Sequence, residues 1–169
     1  KIIPLQGNPV VYVRLTSNIL EKKGRFTDVI KTVNSQSRTK IDTKKQDGNK
    51  ESSITTLWYL IDENINQQFA IKGPLTVRIF SRVLFPDNLM FDDYYILLRE
   101  DGIDIGTYYF NTEKSMESIL TKMKEPVGKW RSIWLHIPEG KHYYTLSLPD
   151  IGDNRQNKVF IRLKEWTEE

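Results

Sequence analysis

Trp130, Trp134 and Tyr143 are the residues whose type and spacing best suit chemistry. Sugars present apolar C–H faces that lie flat on aromatic rings, while nearby polar groups fix their orientation. A row of Trp and Tyr on one sheet face would therefore bind a polysaccharide. The competing use of the same rings is as core, or beneath a helix. Arg78 and Arg82 form a second candidate set, as cations on one face of a strand that would meet solvent or a partner.

Other constellations are weaker. His136 and His142 are the only histidines. Placed across a hairpin they would supply two metal ligands, whereas zinc needs three or four. Asp87, Asp92 and Asp93 form one acidic group, and Asp150, Asp153 and Asn154 form another around Gly152. Calcium prefers several oxygen ligands on a loop, but neither group follows a defined calcium-loop pattern. The chain has no Gly-x-Ser-x-Gly elbow, phosphate-binding glycine loop or His-Glu-x-x-His, and nothing singles out a carboxylate pair among 22 acids. It has no cysteine, which removes disulfides, thiolate metal sites and thiol nucleophiles. The expectation is a protein that is not an enzyme and uses no cofactor or metal.

The elements that must carry these residues read as strands. Ile96–Leu98 and Ile103–Ile105 flank Asp101-Gly102, a pair that tolerates the positive φ angles of a two-residue type I′ turn. That turn pairs Arg99 with Asp104, Leu98 with Ile105, Ile96 with Thr107 and Tyr95 with Tyr108, and opposite charges across a hairpin are mildly favourable. Leu75 to Phe85 alternates. Leu75, Val77, Ile79, Ser81, Val83 and Phe85 form the core face, and Thr76, Arg78, Phe80, Arg82 and Leu84 form the other. Further strands are expected at Val10–Leu15, Phe26–Val33, Ile54–Ile61, Gln67–Lys72 and Val159–Leu163, with a turn at Gly73-Pro74. Ile54–Ile61 is apolar enough for burial on both faces. Met116, Ile119, Leu120 and Met123 fall at i, i+3, i+4 and i+7, which predicts a short amphipathic helix over Lys114–Lys124.

Residues 34–53 are polar, so they read as a long mobile loop. From Glu21 to Lys50 there are nine Lys/Arg against four acids, a local bias that suits a solvated loop or a docking arm for an anionic partner.

Lys129 to Leu148 reads as a second hairpin, turning at Ile137-Pro138-Glu139-Gly140-Lys141. A type I turn closed by a glycine bulge, which Pro-x-Gly favours, buries Trp130, Trp134, Tyr144, Leu146 and Leu148. A two-residue Glu139-Gly140 loop instead buries Ile133, Leu135, Ile137, Tyr144, Leu146 and Leu148. Trp130, Trp134, His136 and Tyr143 then face outward, because a one-residue slip exchanges the faces of a strand.

The run Trp134-Leu135-His136-Ile137-Pro138-Glu139-Gly140-Lys141-His142-Tyr143-Tyr144 resembles the hairpin of early-set immunoglobulin-like domains, including glycogen-binding modules of the AMP-activated kinase β-subunit type. The matching positions are Pro138, Gly140, His142 and Tyr144, within about 20 residues of similarity. The resemblance implies an immunoglobulin-like sandwich and hints at carbohydrate binding. The chain departs from those modules after the hairpin, at Leu148-Pro149-Asp150-Ile151-Gly152.

The totals agree with an all-β chain. It has 169 residues, 8 Tyr, 7 Phe and 4 Trp, and aromatics favour strands. Its length suits one domain, over 1–169. A net charge of +3 from 25 bases and 22 acids does not indicate a nucleic-acid partner. No apolar run reaches the roughly 18 residues of a membrane span. The expectation is an antiparallel β-sandwich, immunoglobulin-like or jelly-roll, with one short helix. Its expected role is an exported or cell-envelope interaction module with a protein partner, and its alternative is a carbohydrate-binding module.

Overall fold

The computed structural model describes residues 24–30, 33, 37–47, 50–86, 88–150 and 157–168. The strand expected at Val10–Leu15 lies outside them. The described residues contain nine strands: β1 Gly24–Ile30, β2 Arg38–Asp47, β3 Lys50–Ile61, β4 Gln67–Val83, β5 Phe91–Glu100, β6 Ile103–Leu120, β7 Pro126–Gly128, β8 Arg131–Ser147 and β9 Val159–Glu168. They join one antiparallel sheet in the order β1-β9-β3-β2-β6-β5-β8-β4, with β7 on β6. β9 also pairs β4, so seven strands form a closed circuit of hydrogen bonding.

Two apolar clusters use opposite faces of the same strands. The larger contains Tyr59, Ile61, Val77, Ile79, Val83, Tyr94, Ile96, Leu98, Ile133, Tyr144, Leu146, Ile161 and Leu163 among others. The smaller holds Ile41, Trp58, Leu120, Val127 and Phe160, with Leu60, Phe80 and Leu84 packed against it. β3 is therefore buried on both faces only at Trp58, Tyr59 and Ile61, whereas Ile54, expected inside with them, is 43% exposed. Each large side chain removed from water contributes roughly 1.5–3 kcal/mol. The alternation predicted for β4 holds on the core side, where Val77, Ile79, Ser81, Val83 and Phe85 are all buried.

The Asp101-Gly102 hairpin forms with φ of 48° and 86° at its two corners. Arg99 faces Asp104 as expected, but the register then slips, setting Leu98 against Gly106, Ile96 against Tyr108 and Tyr95 against Tyr109. One extra residue on the β6 side forms a bulge there.

The predicted helix over Lys114–Lys124 does not form. β6 runs on to Leu120, where it meets β2 through Ile41–Leu120 and Thr43–Ser118. Met116 is 83% exposed and Met123 61%, while Ser115 and Ser118 are buried, so the apolar stripe is not a packed face. Ser115 Oγ accepts from the Ser118 amide at 3.2 Å, bending the strand where its ladder shifts. Ladder partners from β2 and β7 outweigh the local helical period.

The polar stretch 34–53 is likewise not a loop over most of its length. Arg38–Asp47 and Lys50–Ser53 are strand, paired from Arg38–Tyr59 to Asp47–Lys50. Lys44, Lys45, Ser52, Ser53 and Ile54 are exposed. This is a ribbon solvated along its outer half, which needs no apolar alternation.

The second predicted hairpin and the Gly73-Pro74 turn are a single feature. β4 and β8 lie side by side from Gln67–Leu146 to Ser81–Arg131, and their register shifts where Gly73 faces Gly140 and Leu75 faces Ile137. Pro138 and Glu139 thus oppose Pro74 in a bulge, where the missing proline N–H is tolerated. A Cβ on Gly73 would collide with the Pro138 carbonyl oxygen, so glycine is required by close backbone approach. The turn that carried the early-set resemblance is this bulge within one strand. The bulge divides the faces as the second register would: Ile133, Ile137, Tyr144 and Leu146 are buried, and Trp130, Trp134, His136 and Tyr143 are exposed.

Candidate functional site

The outward face of β1, β9, β4 and β8 collects aromatic residues by register alone. Phe26 on β1 faces Trp166 on β9, which faces Thr76 on β4, which faces His136 on β8. Two residues along, Lys164, Arg78 and Trp134 form the next row, and Arg162, Phe80 and Ser132 the one after. The residues between them, Val77, Ile79, Leu163 and Ile133, point into the larger core and hold this face in place.

Arg78 stands at the centre. Its guanidinium carbon lies 4.9 Å from the Trp134 ring centroid, 5.0 Å from Phe80, 5.1 Å from Trp130 and 5.7 Å from Phe26. A cation over ring faces is attracted by their quadrupoles, more so when partly desolvated. The rings also meet one another. Phe26 stacks on Trp134 at 6.1 Å, Phe26 and Trp166 are 4.9 Å apart, and Trp166 meets Trp134 edge-on at 5.6 Å. Phe80 meets Trp130 at 5.6 Å. Arg78 Nε donates to Ser132 Oγ at 2.9 Å, and burial lowers the Arg78 pKa from its ordinary value.

Trp130 remains 47% exposed and Trp134 37%. The arrangement therefore offers indole surface to solvent, with the polar atoms of Arg78 and Ser132 between the rings. A flat, hydroxyl-rich ligand has both kinds of contact available there.

Of the sequence candidates, the structure brings Trp130, Trp134 and Arg78 together. Tyr143 is exposed but lies nine positions along β8 from Trp134, on the order of 25 Å away. Its ring carries the Lys141 ammonium at 5.0 Å instead. Arg82 does not face solvent. It is 7% exposed, donates from Nη1 to the Gly128 carbonyl at 2.8 Å, and lies over Trp58 at 5.6 Å. β7 covers that end of the strand. Sequence reasoning missed Phe26 and Trp166 as members of the site. Phe80 was legible, because it shares the predicted outer face with Arg78.

The histidines are not cross-strand partners. Both lie on β8, separated by the bulge, and His136 Nδ1 meets Thr76 Oγ1 at 3.0 Å. His142 instead meets Glu100 and Asp101 at the tip of the β5–β6 hairpin. Within the first acidic group, Asp92 is buried and accepts from the Asp93 amide, and Asp93 accepts from Asn111 Nδ2 at 2.6 Å. Asp87, Asp153 and Asn154 lie outside the described residues.

No family model matches this chain, and no curated protein does. Among solved structures it has a distant likeness to the CBM36-1 domain of a multidomain xylanase from the hindgut metagenome of Trinervitermes trinervoides. Identity is 14% and the TM-score 0.38, over 78% of this chain and 98% of that one. A carbohydrate-binding module, CBM36, in complex with calcium and xylotriose gives 14% identity and a TM-score of 0.39, over 76% and 99%.

Proposed function

We propose that this chain is a non-catalytic carbohydrate-binding module of β-sandwich type, with a polysaccharide as its ligand. Trp130 and Trp134 stack on sugar rings, and Arg78 and Ser132 orient hydroxyl groups. One observation carries the reading. Two indoles that a core role would bury are exposed, and are held beside a shared arginine on a face whose reverse side is packed. An exported or cell-envelope location suits such a module.

A protein partner is the second reading, and one feature favours it. Among the described residues no strand pairs the edge of β6 opposite β5 over residues 103–112, and Ile103 and Ile105 there are 71% and 42% exposed. Such an edge accepts an added strand. Its other supports are reduced, since Arg82 is buried and most of 34–53 is strand. Among the described residues no helix is long and apolar enough to cross a membrane.

Tryptophan fluorescence titrated with a panel of soluble polysaccharides tests the first reading. A saturable shift is expected, absent in Trp130→Ala and Trp134→Ala while their circular dichroism stays that of the parent. Saturable binding that survives in both folded variants, or no shift with any polysaccharide, would overturn it.

A further inference from the structure

We infer that Glu100, Asp101 and His142 form a binding site for a divalent transition-metal ion, with zinc the best-fitting probe. Three elements of the fold build the site, far along β8 from the exposed tryptophans. Glu100 ends β5, Asp101 is the first corner of the type I′ turn, and His142 follows the β8 bulge. The Asp101 amide donates to the Tyr143 carbonyl at 2.8 Å, and the Tyr143 amide returns a bond to Asp101 Oδ1 at 2.9 Å. This reciprocal pair locks the hairpin tip to β8 and leaves Asp101 Oδ2 turned towards the imidazole.

The ligand atoms converge. His142 Nδ1 lies 3.0 Å from Glu100 Oε1 and 3.3 Å from Asp101 Oδ2, and all three atoms fall within 4.8 Å of one another. Zinc bonds to nitrogen and oxygen of about 2.0–2.2 Å, set tetrahedrally, place neighbouring ligand atoms roughly 3.3 Å apart. The two separations to His142 Nδ1 already suit that shell, and the two carboxylate oxygens lie within 4.8 Å of each other.

The far side of the imidazole also has a partner. His142 Nε2 faces the Glu139 carbonyl oxygen at 3.3 Å. In the tautomer that donates from Nε2 to that oxygen, Nδ1 is left available as a metal ligand beside the two carboxylate oxygens. A metal-ligating histidine commonly donates its other N–H to a backbone carbonyl, which fixes the tautomer in this way. The Tyr144 hydroxyl donates to Glu100 Oε1 at 2.7 Å, orienting a second ligand from behind. One imidazole with two carboxylates suits zinc and its neighbours. Calcium and magnesium instead favour six or more oxygens. The side chains of His142 and Glu100 are 19% and 27% exposed, and that of Asp101 is 47%, so solvent reaches the fourth position.

Isothermal titration of zinc into the chelator-treated full chain at pH 7.5 tests the site. The expected result is one ion bound per chain with micromolar affinity and a zinc-dependent rise in Tm. His142→Ala and Glu100→Gln should each weaken binding about tenfold or more, a loss typical of a disturbed metal shell. His136→Ala should leave it unchanged, because His136 lies beyond the bulge. If His142→Ala does not fold, Asp101→Asn carries the test, since asparagine tolerates the positive φ of that corner. No zinc binding by the parent chain at millimolar metal would overturn the site. Equal losses in His136→Ala and His142→Ala would overturn it as well.

Discussion

Arg78 and Arg82 sit four residues apart on the same face of β4, yet they are held in different ways. Arg78 is half-buried among four aromatic rings and gives one hydrogen bond to a side chain. Arg82 is buried, and its Nη1 bonds a main-chain carbonyl of β7. The strand's alternation put both on the outward face. What covers that face differs from one end to the other. Towards Arg78 it is the side chains of β1, β8 and β9, which leave an open edge of rings. Towards Arg82 it is the Gly128 carbonyl of β7 together with the Trp58 ring of the smaller cluster, which seal the site. A cation among exposed rings can serve recognition, whereas a sealed cation serves only the fold.

The strongest way to break this contrast is Arg82→Ala. It opens a cavity and strips the Gly128 carbonyl of its partner, so urea unfolding should show a loss of about 2–4 kcal/mol. A loss no greater than that of Arg78→Ala would erase the distinction. Arg78→Ala should cost about 1–2 kcal/mol and weaken polysaccharide binding. Arg78→Lys should recover stability only in part, because a flexible ammonium stacks less well than a planar guanidinium.

Alkaline titration sharpens the contrast from the charge side. Burial lowers the Arg82 pKa from its ordinary value to about 10, and raises the phenols of Tyr94 and Tyr144 above their ordinary 10.0. Above about pH 10 the unfolded tyrosines release protons that the folded ones keep, so stability falls as pH rises. Arg82 acts the other way. Above about pH 10 the unfolded arginine still holds a proton that the folded one gives up, which adds stability as pH rises. Two phenols against one guanidinium leave a net fall. Tyr94→Phe should cost about 1 kcal/mol at neutral pH, through its lost 2.8 Å bond to Ser81, and should flatten the alkaline decline measured by urea unfolding.

Arg99 supplies the smallest effect. Its Nε meets Asp104 Oδ1 at 2.5 Å across the hairpin, with side chains 37% and 62% exposed. Arg99→Ala should shift stability by less than about 0.5 kcal/mol, and less still in high salt. A larger loss would mean that exposure is not what separates these arginines.

The features legible from residues were those decided within a few positions. The Asp101-Gly102 turn needs only positive φ at two neighbours, and Arg99 opposite Asp104 follows from it directly. The core side of β4 needs only its period of two. The features that escaped were decided by a distant partner. Pro138-Glu139-Gly140 has the composition of a turn, but β4 lies alongside with Gly73 and Pro74 opposite, so the same residues form a bulge. Met116, Ile119, Leu120 and Met123 have a helical period, but β2 and β7 supply ladders that a helix would forgo. Residues 38–47 and 50–53 lack apolar alternation because, among the described residues, the outer half of their ribbon is exposed.

The same division runs through the sites. Composition and alternation alone made this an all-β chain with Phe80 and Arg78 together on the outer face of β4, because side-chain direction along a strand is local geometry. Only the tertiary structure decided that Trp130, Trp134, Phe80, Phe26 and Trp166 share one patch, that Arg82 is sealed beneath β7, and that His142 meets Glu100 and Asp101. Those outcomes depend on which strands lie side by side and on single-residue bulges in their register. Pairing energy is pooled over whole strands, and no short window of residues carries it.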